Sequence, residues 1–116
     1  MFARLVEFRL ICERSEALEA FQSHVVPLLR EQPGFIDVVP LFAEIRPDEG
    51  IAISLWDSPA HVDHYEQTVF PRAFELMKPY VTMRSVARFH LEPGFSVLFD
   101  NHSSAGFARD PGSRLA

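Results

Sequence analysis

Trp56, His61, His64 and Tyr65 fall within ten positions of one another, a tighter grouping of aromatic and titratable side chains than anywhere else in the chain. An imidazole changes charge near neutral pH and can accept a proton from a bound molecule. Indole and phenol add planar apolar surface, each with one polar handle. His24 supplies a second candidate base, on an apolar stripe with Phe21 and Leu28. Together these groups suit proton removal from an apolar aromatic molecule, or its binding alone. They do not suit a metal. His61 and His64 have no third ligand at a spacing that would complete a site, and Cys12 is the sole cysteine, so no thiolate cluster or internal disulfide forms.

The elements that position these residues are legible nearby. Residues 51–56, Ile-Ala-Ile-Ser-Leu-Trp, form an apolar run rich in β-branched and aromatic side chains, which predicts a buried strand. Asp57-Ser58-Pro59 breaks it. Ser58 is a good N-cap and Pro59 fits the first helical position, where its missing N–H has no intrahelical partner. Trp56 therefore ends a strand, and His61, His64 and Tyr65 ride the first turns of a helix. Ala52 and Ser54 share a strand face with Trp56; such small residues leave room either for a ligand or for a helix to pack closely.

Elsewhere, residues 2–12 alternate as a half-buried strand, with Phe2, Val6, Phe8, Leu10 and Cys12 on one face and Glu7 and Arg9 on the other. Ser15 is placed to cap a helix running to about Gln32, kinked at Pro27 and stopped by Pro33-Gly34. Residues 35–45 predict a second strand, apolar on both faces, followed by a turn at Pro47-Asp-Glu-Gly50. A second helical region spans about 59–78, broken near Phe70-Pro71. Residues 81–92 predict a fourth strand, with Val81, Met83, Ala87 and Phe89 on one face and Arg84, Arg88 and His90 on the other, where Glu7 is the expected partner. Residues 95–99 suggest a short fifth strand. Residues 1–99 make one domain; the Ser-, Gly- and Pro-containing stretch 100–116 reads as a tail, expected to reach over a partner subunit.

The order β-α-β-β-α-β is that of the ferredoxin-like, split β-α-β plan, an α+β fold with an antiparallel four-stranded sheet and both helical regions on one face. Two helical regions cover one sheet face only. Because the second and third strands are apolar on both sides, the uncovered face needs a partner, and a second copy of the chain is the economical one. The expectation is a homodimer.

Bulk properties narrow the function classes. The chain is 47% hydrophobic and 23% charged, as expected of a globular domain, and its 11 phenylalanines suit an aromatic core or an apolar ligand cavity. A net charge of −5 argues against a nucleic-acid partner, whose phosphates need concentrated Lys and Arg. Arg4, Glu7 and Arg9 interrupt the apolar N-terminus, so it does not read as a signal peptide, and no stretch approaches the roughly 20 apolar residues of a membrane span. The expected location is the cytoplasm. No phosphate-binding glycine loop, GxSxG elbow or zinc spacing is present, which leaves nucleotide and hydrolase chemistry unsupported.

This strand order, Pro33-Gly34-Phe35 at the opening of the second strand and Leu55-Trp56-Asp57-Ser58 at the close of the third resemble the antibiotic biosynthesis monooxygenase family of the dimeric α+β barrel superfamily, over about residues 2–92. The resemblance implies oxygenation of a polycyclic phenol or quinol with no metal, flavin or haem. In that chemistry the ionised aromatic passes an electron to dioxygen and the radical pair recombines in an apolar site. Trp56, Tyr65, Phe8, Ser54 and His64 would then contact the substrate, and His61 or His24 would take the proton. Haem-degrading relatives use an Asn on the first strand and a His after an aromatic on the second helix. Here those positions hold Phe8 and Glu75, and the aromatic alone survives as Tyr65, which disfavours haem. Two other readings remain: a non-catalytic dimer that binds a small apolar molecule, and an isomerase-type relative that moves a proton without oxygen. Each residue also has a purely structural role open to it: Trp56 packing the corner, His61 exposed on its helix, His24 satisfied in the core, and Cys12 a small hydrophobe.

Overall fold

Strand β1 (Phe2–Leu10) runs through the centre of the sheet and fixes the registers around it. The computed structural model describes residues 1–92, so the expected fifth strand and the tail lie outside the described residues. Strand β1 pairs antiparallel with β3 (Glu49–Trp56) and β4 (Val81–His90), and β2 (Phe35–Phe42) completes the order β2-β3-β1-β4. This is the ferredoxin-like α+β architecture. The helical segments α1 (Arg14–Ala20), α2 (Val26–Arg30), α3 (Pro59–Thr68) and α4 (Phe70–Met77) cover one face.

The predicted single helix over 15–32 is divided. Glu13, not Ser15, occupies the N-cap, and a π-helical turn at Phe21–Val25 separates α1 from α2. Pro27 explains the division, because it lacks the N–H that an α-helical turn requires. The chain widens just before it, and the Val26 N–H donates to the Phe21 carbonyl five residues back. The widened turn rotates His24 out of the apolar stripe and leaves it exposed, whereas Val25 and Leu29 are buried. The break between α3 and α4 falls at Val69, ahead of Pro71, as the sequence indicates.

The hairpin differs from expectation by a few residues. Strand β2 stops at Phe42, β3 starts at Glu49, and the loop between them leaves Ile45 90% exposed. Its ends are tied by Ala43 N–H donating to the Glu49 carbonyl at 2.8 Å. Glu49 and Gly50 therefore belong to the strand, not to the turn.

A β-bulge in β4 overturns its predicted faces. The β1–β4 register shifts between Glu7 and Phe8, so Met83 pairs with Phe8 while Ser85, Ala87 and Phe89 pair with Glu7, Leu5 and Ala3. Met83 faces the helices, but Ala87 and Phe89 turn to the open face. The basic residues separate accordingly. Arg84 binds Glu49, Ser85 takes Glu7, and Arg88 reaches Asp63 and Glu66 on α3.

The core gathers beneath the helices around Val25, Leu29, Trp56, Val62, Tyr65 and Ala73. Gly34 closes the corner beside it. Its φ is +81°, and a Cβ there would collide with His61 Nδ1 and Asp57 Oδ1. The Asp57 N–H donates to the Gly34 carbonyl at 2.9 Å, binding the start of β2 to the end of β3. Gly34→Ala is expected to destabilise the fold by roughly 1–3 kcal/mol through backbone strain and this collision. Urea denaturation checks it; an unchanged midpoint would show that the corner relaxes freely.

Candidate functional site

Between the helix-facing side of the sheet and the helices lies a partly enclosed cavity of about 110 Å³. Its floor comes from alternate residues of the strands: Arg4, Val6, Phe8 and Leu10 on β1, Ala52 and Ser54 on β3, Val38 and Phe42 on β2, and Met83 on β4. Its roof comes from Phe21 and Val25 on the π turn, Tyr65 on α3, and Phe70, Phe74 and Met77 on α4. Ala52 and Ser54 are what keep the floor low, since both present little more than a Cβ to the space above them. The lining is almost wholly apolar.

Arg4 is the exception, a residue not among those the sequence marks as candidates for the site. It occupies the helix-facing side of β1 in phase with Phe2, Val6 and Phe8, and only 3% of it is exposed. Its Nε donates to Glu66 Oε2 at 2.7 Å, and its guanidinium carbon lies 4.1 Å from the centre of the Phe70 ring and 5.3 Å from that of Tyr65. Glu66 also accepts from Arg88 Nη1 at 3.4 Å, and Arg88 Nη1 donates to Asp63 Oδ1 at 2.8 Å. The charge on β1 is thus held by a carboxylate on α3 and shelved against an aromatic ring on α4. The available signal was a charged residue in the apolar phase of an alternating strand, which demands a buried partner.

Trp56 is fully buried and does not border the cavity. It stacks obliquely on Tyr65 with 5.0 Å between ring centres and meets Phe35 edge-on at 5.5 Å. Its Nε1 donates to Ser54 Oγ at 2.9 Å, and Ser54 Oγ donates to the Arg4 carbonyl at 3.4 Å. Trp56 therefore supports the cavity from behind by fixing Tyr65 and Ser54. Phe8, Ser54 and Tyr65 line the cavity; His64 is exposed on α3 away from it.

His61 lies at the opposite end of the same helix turn. Its Nδ1 is 2.7 Å from Asp57 Oδ1 and 3.2 Å from Ser58 Oγ, and its own N–H donates to Ser58 Oγ as the helix cap. The bond from His61 is the main reason the Asp57 carboxyl is held below its usual range. Neither His61 nor His24 borders the cavity. The structure brings Phe8, Ser54 and Tyr65 together around Arg4 and leaves the three histidines of the sequence reading outside. Among the described residues no group of three or more His, Cys, Asp or Glu is placed to hold a metal ion, and no helix is long and apolar enough to cross a membrane.

Burial pushes the Tyr65 phenol up to about 12, with Glu66 reinforcing the shift and Arg4 opposing it. At neutral pH Tyr65 is a hydroxyl donor.

Comparison with solved structures places this architecture. SnoaB, a cofactor-independent oxygenase from Streptomyces nogalater, superposes with a TM-score of 0.66 at 15% identity, over 78% of this chain and 92% of that one. A provisionally named antibiotic biosynthesis monooxygenase from Bordetella bronchiseptica gives 0.64 at 15% identity, over 78% and 96%. One from Chloroflexus aurantiacus gives 0.61 at 14%, over 83% and 97%. The chain has the fold of the antibiotic biosynthesis monooxygenase structures. No family model matches the sequence, and no curated protein matches it.

Because the Tyr65 phenol is pushed from the free value of 10.0 up to about 12, the folded state binds its proton more tightly than the unfolded chain. Its contribution to stability is complete below pH 10 and is lost as the pH rises to about 12. Comparing denaturation of the wild type and Tyr65→Phe across this window tests it. The wild type should lose more stability than the variant; parallel curves would contradict the shift.

Proposed function

We propose that the chain is a cofactor-independent monooxygenase that oxidises an apolar aromatic molecule in the Arg4 cavity. The observation that carries this reading is a buried guanidinium beside a protonated phenol in an otherwise apolar, partly enclosed space. Positive charge fixed at low dielectric favours the ionised form of a bound phenol or quinol, and costs no reorganisation when the charge develops. Arg4 takes the anionic oxygen and Tyr65 donates a second hydrogen bond to it. The enolate then passes an electron to dioxygen, the pair recombines at carbon, and the hydroperoxide loses water to leave a carbonyl. The substrate supplies every electron, so one oxygen atom enters the product and the other leaves as water. With His24 and His61 off the cavity, the proton departs to solvent at its open side, and the ionising role moves from a base to Arg4.

The volume constrains the substrate. A space of about 110 Å³ is smaller than the roughly 150 Å³ that holds benzene in a protein core, and drug-sized ligands occupy about 300 Å³ or more. A single ring fits with small side-chain movements; a polycyclic quinol requires the helical roof to shift outward. A second reading, a non-catalytic binder of small apolar molecules, is favoured by the lack of any histidine or carboxylate on the cavity wall among the described residues.

One assay separates the two. Anthrones and naphthoquinols are bound without oxygen, oxygen is admitted, and quinone formation is followed with no added metal or flavin. Turnover that falls about 10²-fold or more in Arg4→Met supports the oxygenase. Tight binding with no turnover supports the binder.

The same proposal includes a homodimer. The sheet face away from the helices carries Leu5, Val39, Leu41, Ile53, Leu55 and Phe89, with Val39, Leu41 and Phe89 exposed by 41%, 44% and 55%. Continuous apolar surface of this kind is the signature of an interface, and a second copy covers it with an identical face. Sedimentation of the wild type is expected to give a dimer and Ile53→Asp a monomer. A monomeric wild type at micromolar concentration would overturn the pairing.

A further inference from the structure

We infer that the cavity's ligand is a small aromatic carboxylate, held end-on by the guanidinium of Arg4. The inference rests on the cavity being the ligand site, as proposed above, and not on its oxygen chemistry. It follows from counting donors and acceptors. Arginine carries five N–H donors. Only Nε finds a partner among the described residues, Glu66, although the side chain is almost wholly buried. Arg4 borders an apolar cavity with its guanidinium carbon 4.1 Å from the centre of the Phe70 ring, and unmet donors there cost stability unless something accepts from them.

Among the described residues nothing on the cavity wall accepts from them. Ser54 Oγ accepts from Trp56 and donates to the Arg4 carbonyl, and no hydrogen bond joins it to either Nη. Tyr65 offers a proton, not a lone pair of comparable strength, because its phenol stays un-ionised at neutral pH. The Nη donors are thus unmet among the described residues, and the complementary ligand is an acceptor with negative charge. Glu66 settles which kind. By occupying the Nε edge it leaves the Nη1–Nη2 fork, two parallel donors whose spacing matches the two oxygens of a carboxylate. The Phe70 and Tyr65 rings beside the guanidinium offer aromatic surface to a flat ring attached to the carboxylate, and one ring fits with small side-chain movements.

Calorimetric titration of the full chain with benzoate and with its neutral counterpart benzamide tests this. Benzoate is expected to bind roughly tenfold or more tightly than benzamide. Arg4→Met should abolish the preference. Glu66→Gln, which keeps Arg4 and removes the competing negative charge, should strengthen benzoate binding. The opposite signs matter, because a merely structural role for the pair would weaken binding in both variants. Equal binding of benzoate and benzamide, binding of neither, or a loss in Glu66→Gln would each overturn the inference. If Arg4→Met does not fold, the ligand pair and Glu66→Gln still decide it. A benzoate preference with no oxygen-dependent turnover would sink the oxygenase reading alone; turnover without the preference would sink this one alone.

Discussion

The Arg4–Glu66 contact joins the centre of the sheet to the helical layer, and much of the arrangement follows from it. A guanidinium on the inner face of β1 cannot stay there unpaired, since an uncompensated buried charge costs several kcal/mol. Its partner must come from the layer above, which sets where α3 crosses the sheet. Arg88 on β4 braces Glu66 from the side, and does so only because the bulge has turned it toward the helices. Helix α4 supplies the Phe70 ring against which the charge lies. Two strands and two helices are thereby tied together by two arginines through Glu66 and Phe70, and the cavity lies beside Arg4.

Much of the fold was legible in the sequence. Strand–helix order, the Ser58–Pro59 start of α3 and the break near Pro71 all depend on local signals that nothing distant overrides. What was not legible depends on neighbours. The faces of β4 follow the parity of its residues until the register with β1 shifts, and a shift between two strands leaves no trace in either sequence alone. Pro27 announced a distortion of the first helix, but it could not say that the relief would be a wide turn upstream that carries His24 to the surface.

The candidate site divides in the same way. Phe8, Ser54 and Tyr65 share the helix-facing phase of their elements and line the cavity. The histidines were chosen for their chemistry, and chemistry does not place a side chain. His61 has the aspartate and serine company of a catalytic base, yet those partners belong to the helix cap and the Gly34 corner. Arg4 was seen as a charge interrupting an apolar N-terminus, when its phase within the strand was the informative property. Trp56, the residue with the most conspicuous setting in the sequence, serves the cavity indirectly by holding Tyr65 and Ser54 in place.

The π turn at Phe21–Val25 gives the cavity one soft wall. Phe21 and Val25 both line the space, and they belong to the stretch where the backbone hydrogen bonds skip an extra residue and where Pro27 has removed a donor. A helix weakened at that point yields under pressure from inside more readily than the strands below or the α3 turn pinned by Ser58. Room for a larger guest is therefore gained by letting out the first helix, as a hinge opens where its pin is loosest, while the charged floor around Arg4 stays where the sheet holds it.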